Sequence, residues 1–342
     1  MLYSKIIHEN TLYILLHAEQ VYQNFHLFDE NLGFFTSELT RETIERVGKE
    51  IKKVSGINSI IIDFFQLEEN HNSFIELSNI VTHCIKSKID ISLIRINESL
   101  YNKINIHKFK TENYNLKEST TKICDRNYFN LFSKECICIK EFDKDIFNLY
   151  EKKLLEKDLY IEDQDKEKQY SESSNVILPK YLNIKRFIED KEISFIGLYL
   201  LCKKTINEEL IPDLRVDERP VIVFPSITAS YLASIFAKLA CCDIAYRDHI
   251  GPKNKIYRTI QKGIFMESKK HLIISDVICM GTEIQITKNI IEHEGAKIEG
   301  VLSIINVKVT DKTPNNNVIS LIDLTKEKNK GINYKIQTNF QL

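Results

Sequence analysis

The stretch His271–Glu283, HLIISDVICMGTE, constrains the fold more than any other part of the chain. A continuous apolar run, Leu272, Ile273 and Ile274, ends at Ser275-Asp276. A run without polar alternation predicts a strand buried on both faces, the habit of parallel sheets. Beyond Val277 to Thr282, apolar residues return at Ile284, Ile286, Ile290 and Ile291, a helical spacing. Strand, small turn and helix make one βα unit. In open sheets of such units, ligands bind outside the carboxyl ends of strands, where helix N-termini favour phosphate. A buried strand and turn without a ligand account for the same residues, and that reading stays open.

The text before and after repeats the pattern. Tyr181, Asn183 and Lys185 alternate as a strand does, and Ile193, Ile196, Leu200 and Ile206 follow at helical steps. Val221–Phe224 is a short buried strand. Pro225, Ser226, Ile227, Thr228, Ala229 and Ser230 lead from it into a helix carrying Leu232, Ile235, Phe236 and Leu239. Asp243–Tyr246 is a further strand, followed by a basic segment with Arg247, Lys253, Lys255 and Arg258 and with Asp248 and His249 among them. Gly295-Ala296 ends the helix after the anchor strand, and residues 301–307 and 318–324 read as two more strands. Strands alternating with helices across residues 180–325 predict a twisted, mostly parallel sheet flanked by helices.

The anchor stretch resembles the phosphoribosyl-diphosphate motif of type I phosphoribosyltransferases: apolar strand, two acids, two apolar residues, two Thr, Gly, and a small residue. Asp276 matches the second acid, Gly281 the loop glycine and Thr282 the small position. Ser275 replaces the first acid, Cys279 and Met280 replace the two Thr, and Glu283 stands where a hydroxyl is usual, a carboxylate that would repel phosphate. The resemblance implies that Asp276 beside Ser275 holds the ribose and that Cys279, Gly281 and Thr282 wrap the 5′-phosphate. It implies a pyrophosphate loop at Ser226, Thr228 and Ser230, with Arg247 and Lys255 over the diphosphate and Mg²⁺ arriving with phosphoribosyl diphosphate. An N-capped helix after a strand explains the serines as well, and exposed loop lysines ordinarily serve solubility. The opening around Tyr181 resembles the edge strand of orotate-type members, with Asn183 where Asp is usual. The expected ligand is a phosphoribosyl compound or nucleotide, and the expected assembly a homodimer.

The amino-terminal text reads differently. Residues 5–8 and 11–17 alternate around Glu9-Asn10, which predicts a hairpin. Residues 18–36 are aromatic and irregular. Ser37 is a candidate cap for a helix with Ile44, Val47, Ile51 and Val54, ending at Ser55-Gly56. Residues 57–64 predict a central strand. A polar turn at 68–72 precedes a helix with Phe74, Leu77, Val81 and Ile85, and then come a strand at 91–94 and a helix at 98–104. This order resembles the STAS domain of anti-sigma-factor antagonists, and it implies a docking module for a protein partner. In that family the turn before the second helix carries a phosphorylated Ser. Here Asn72 falls on that position, and Ser73 is either the helix cap or the phosphoacceptor.

The predicted organisation is therefore a STAS-like domain over 1–105, a connecting region with a charged linker over 106–175, and a phosphoribosyltransferase-like domain over 176–342. Within the connection, Cys136 to Ile139 suggests a strand, 142–155 a helix, and 156–175 a solvated linker dense in charge and Ser. A chain of 342 residues suits two domains. With 47 basic and 48 acidic side chains the balance is near zero, which argues against nucleic acid and against an anionic membrane surface. No apolar run approaches a membrane span, and the first residues, MLYSKIIHEN, are no signal peptide, so the cytoplasm is the expected compartment. Eight cysteines without any Cys-x-x-Cys pair read as buried free thiols, not a zinc site. Two functions compete: an enzyme transferring ribose 5-phosphate to a nitrogenous base, and a regulator that keeps the fold and senses the ligand without the reaction.

Overall fold

The computed structural model describes residues 3–16, 19–24, 33–65, 69–70, 74–104, 116–123, 126–156, 160–162, 181–182, 184–211, 219–226, 229–240, 242–246, 269–278, 281–306 and 317–323. They divide into two units, 1–146 and 147–342.

The first unit opens with the expected hairpin, β1 (Tyr3–His8) and β2 (Thr11–Leu16), antiparallel about a turn in which Glu9 takes a φ of 49°. The segment read as irregular holds a second hairpin, β3 (Glu19–Asn24) and β4 (Gly33–Leu39). Its polar residues hide the period of two. Ser37 consequently lies in β4, and the cap of α1 (Arg41–Lys53) is Thr40, whose Oγ1 accepts the Thr43 N–H at 3.3 Å. There follow β5 (Ser59–Asp63), β6 (Glu69–Asn70), α2 (Phe74–Lys86), β7 (Asp90–Asn97) and α3 (Glu98–Ile104). Asn72 and Ser73 lie outside the described residues. A third hairpin, β8 (Lys117–Ile123) with β9 (Arg126–Phe132), pairs antiparallel with β7 and extends the sheet beyond residue 105. The sheet runs β1-β2-β5-β7-β9-β8, with β2, β5 and β7 parallel.

One face of this sheet packs Leu12, Ile14, Ile60, Ile62, Ile91 and Leu93 against Ile44, Val47, Leu77 and Val81 of α1 and α2. The other face is partly polar. Arg95 is completely buried and takes a φ of 57°, in the left-handed region that disfavours a residue with a Cβ. Its guanidinium bonds Asp63 on β5 and Asp143, and its backbone N–H donates to Asn130 Oδ1 at 2.9 Å. Tyr13 donates to Asp63 at 2.6 Å, and burial together with that carboxylate holds the phenol well above its ordinary pKa. Asp143 belongs to α4 (Ile139–Glu156). The expected strand at Cys136–Ile139 is instead the approach to α4: the Cys138 carbonyl accepts the Phe142 N–H, so its apolar alternation is that of a helix start. Cys84 and Cys202 are buried, and burial pushes the Cys84 thiol up to about 11, whereas Cys136 and Cys138 are exposed, against the expectation of buried thiols.

The second unit contains a short antiparallel pair, β10 (Tyr160–Glu162) and β11 (Tyr181–Leu182), then α5 (Ile184–Glu189) and α6 (Lys191–Asn207). The strand expected through Lys185 stops at Leu182, because Ile184 and Phe187 bury one side of a helical turn. The main sheet comprises β12 (Val221–Phe224), β13 (Asp243–Tyr246), β14 (Lys270–Ile278), β15 (Lys297–Asn306) and β16 (Val318–Asp323), joined with α7 (Ser230–Ala240) and α8 (Thr282–His293). Its order is β13-β12-β14-β15-β16 and every pairing is parallel. Ile284 and Ile291 of α8 pack with Ile273 and Val301. Gly300, next to Val301 and so on the opposite face, lies under Leu210 just after α6; a Cβ there would come within 2.8 Å of it. Helices therefore cover both faces, as all-parallel strands require.

Two tests follow. Arg95→Met strands the Asp63 carboxylate in the interior and is expected to cost about 3–5 kcal/mol in urea unfolding; a loss below about 1 kcal/mol counts against the buried pair. His271, buried at the start of β14, is held below its ordinary pKa by desolvation. The unfolded chain then takes the proton first, so stability is expected to decline as pH falls through about 6.5. Unfolding at pH above and below that value, in wild type and His271→Gln, checks it: the substitution should flatten the decline, and an unchanged slope refutes it.

Candidate functional site

The site is set by strand order. After β12 the chain passes through α7 to β13 on one side, and it then returns to place β14 on the other side of β12. The order reverses between β12 and β14, and at such a switch point the loops leaving the two strands diverge and open a crevice at their carboxyl ends. The residues that follow the two strands are 225–230 and 279–281, of which 227, 228, 279 and 280 lie outside the described residues.

The register fixes their heights. Val221, Ile222 and Val223 pair with His271, Leu272 and Ile273, so Phe224 is level with Ile274 by continuation. β14 then runs on to Ile278, paired there with β15 among the described residues. The strand therefore does not end with the apolar run at Ser275-Asp276 but continues through Val277 and Ile278. Asp276 projects about 7 Å past the end of β12 at the usual rise per residue. Ser275 is buried, level with Ser303, which is in turn level with Ser320 and bonded to it at 2.9 Å. Asp276 is half-buried, and its Oδ1 accepts the Val277 N–H at 2.8 Å.

Gly281 has a φ of 73°, the left-handed geometry in which glycine carries no penalty. It is the N-cap of α8 and supplies no capping side chain, and Gln285 N–H reaches the Gly281 carbonyl at 2.9 Å. Gly281 itself thus gives the first turn no side-chain cap, a position at which helix N-termini receive anions. Thr282 is exposed, and Glu283 lies in the same first turn. Across the crevice, Pro225 is buried and Ser226 half-buried; Ser226 Oγ accepts the Ala229 N–H at 3.4 Å, so it shapes the turn into α7. Ser230 begins α7 and its carbonyl accepts the Ser234 hydroxyl. Thr228, Arg247, Lys255 and Cys279 lie outside the described residues.

The rim also holds a residue that sequence reasoning missed. Asn306 ends β15 level with Ile278, and Asp323 ends β16 level with Asn306. Asn306 is buried, and its Oδ1 has no hydrogen-bond partner. A final polar residue after VLSII is the only trace it leaves in the sequence. Among the described residues, no three His, Cys, Asp or Glu side chains converge as metal ligands. A single carboxylate such as Asp276 does not make a metal site.

No family model and no curated protein matches the chain. Among solved structures it is similar to adenine phosphoribosyltransferase from Thermoanaerobacter pseudethanolicus, at 17% identity and a TM-score of 0.35 over 42% of this chain and 88% of that one. It is also similar to orotate phosphoribosyltransferase from Aeropyrum pernix, at 14% and 0.35 over 43% and 80%. For adenine phosphoribosyltransferase from Trypanosoma brucei the values are 16% and 0.33 over 46% and 77%. At these scores the likeness carries no activity to this chain, and the site stands on its own geometry.

That geometry is testable at the turn. Gly281→Ala forces a Cβ into the left-handed region and is expected to lower stability by about 1–2 kcal/mol in urea unfolding. A loss below about 0.3 kcal/mol, within the usual scatter of surface substitutions, means the turn has another conformation.

Proposed function

We propose that the second unit binds a phosphoribosyl ligand, phosphoribosyl diphosphate or a nucleotide, in the crevice between β12 and β14. The observation that carries this is the meeting of two strand–turn–helix segments on one rim, where the strand order reverses. In this reading Asp276, beside Ser275, hydrogen-bonds the ribose hydroxyls. The backbone from Cys279 through Gly281 to Thr282 receives the 5′-phosphate at the uncapped start of α8. Ser226 and Ser230, with Thr228, face the diphosphate, and Arg247 and Lys255 supply its counter-charge. Mg²⁺ would be held by the diphosphate of the ligand, not by a cluster of protein carboxylates. The Trypanosoma brucei enzyme was solved with AMP, pyrophosphate and ribose-5-phosphate, ligands of this class.

Transfer of ribose 5-phosphate to a nitrogenous base, orotate-type, is the catalytic form of the proposal. It works by positioning and electrostatics, so each missing donor weakens it. A ligand sensor that signals through a STAS-like first unit is the second form. It is favoured by Ser275 in place of an acid and by Glu283 in the first turn of α8.

Calorimetric titration of the full chain with phosphoribosyl diphosphate and Mg²⁺ tests the site. Saturable binding is expected, weakened at least about tenfold by Asp276→Ala through loss of charged hydrogen bonds. Absence of binding at about millimolar ligand overturns the proposal in both forms. Where binding is seen, formation of a nucleotide from orotate or a purine identifies the enzyme, and its absence identifies the sensor.

A further inference from the structure

The first unit contains an open cleft of about 580 Å³, within the range of small-molecule sites. Its floor is the sheet face away from α1 and α2. Ile60, Ile62, Ile91 and Leu93 point into the helix-side core, so Ser59, Asp90 and Ser92, which alternate with them, point the other way. Pairing brings Lys117 into the same row, since Ser92 and Lys117 both face Phe132 of β9. Ser133 to Ile137, the chain between β9 and α4, forms the opposite wall.

Two features make this more than a surface recess. Ser92 is 5% exposed, lines the cleft, and has no side-chain hydrogen bond among the described residues. Its hydroxyl is not among the orphaned buried groups, so a ligand atom in the cleft can bond it directly. The charges are also unevenly used. Lys134 and Asp90 neutralise each other at 2.8 Å, and Ser133 Oγ is occupied by the Ile91 N–H at 2.9 Å. Lys117 and Glu135 have no ion-pair partner among the described residues. What remains is one cation, one anion and the hydroxyls of Ser59 and Ser92. A polyanion would meet Glu135 and Asp90, and a neutral polyol would use neither free charge.

We infer that this cleft is a binding site for a small zwitterion of the amino-acid class, its carboxylate toward Lys117 and its ammonium toward Glu135, with Ser92 as the buried hydrogen-bond partner. All its lining residues belong to the first unit.

Titration of the full chain with individual free amino acids, with inorganic phosphate and glycerol as comparison probes, tests it. Saturable binding of at least one amino acid is expected, with Lys117→Met and Glu135→Gln each weakening it about tenfold or more. Lys117→Met should leave titration with phosphoribosyl diphosphate and Mg²⁺ saturable where that binding is seen, which separates this site from the proposed phosphoribosyl site. Both charge variants alter exposed side chains, so unchanged unfolding curves will exclude misfolding as the cause. The inference is overturned if no amino acid binds at about 10 mM, if phosphate or glycerol binds equally well, or if affinity survives both substitutions.

Discussion

The parallel pairing of β12 with β14 is the constraint on which the second unit depends. Parallel neighbours cannot be joined by a tight turn, so each connection must cross a face, and helices end up covering both. Because β13 lies on one side of β12 and β14 on the other, the strand order reverses there, and in open α/β sheets a crevice forms at such a point. The crevice is thus a consequence of chain order, not of any single side chain. The greater length of β14 then lifts Asp276 above the floor of that crevice.

The first unit rests on a different kind of interaction. Its α1/α2 face is an apolar core of the usual sort, whereas its other face is organised around the guanidinium of Arg95. A buried arginine is tolerated because Asp63 and Asp143 balance it and Tyr13 completes the coordination of Asp63. The left-handed backbone at Arg95 coincides with the interruption of the β7/β9 ladder between Leu93 and Ile96, where Asn130 takes over the Arg95 amide. Side-chain and backbone demands at this residue are met together: the irregularity frees the amide, and Asn130 satisfies it. Asn130 is itself tied to Thr121 Oγ1 at 2.9 Å, so the third hairpin has a structural role in the same network.

How much of this was legible in the sequence depended on whether burial wrote a period into the chain. The strands of the second sheet are continuous apolar runs, and β12 and β13 were readable to the residue. The end of β14 was not. The apolar run ends at Ser275-Asp276, but Val277 and Ile278 continue the ladder to β15, and only the partner strand reveals that. The hairpins β3–β4 and β8–β9 were invisible because half-polar strands rich in Lys, Thr, Gln and Asn carry little hydrophobic alternation. The Arg95–Asp63 pair joins residues 32 apart, and Arg95–Asp143 residues 48 apart; no local pattern announces either. Asn306 is the same case at the candidate site, a polar residue given meaning only by the strand ends beside it.

Glu283 brings the fold and the chemistry of the second unit into opposition. The N-terminus of α8 presents amides without a side-chain cap, and the helix dipole there favours negative charge. In a phosphate site that charge comes from the ligand. Here a carboxylate in the first turn already supplies part of it, so α8 is stabilised before any ligand arrives. Under the proposed function, a phosphate at the start of α8 would gain the amides against the negative charge that Glu283 brings to the same turn. Such an exchange trades affinity for the stability of the empty state. A metabolic transferase has little use for that trade. A sensor that must release its ligand when concentration falls is served by it, and on this physical ground the second form of the proposed function accounts for the sequence of the turn better than the first.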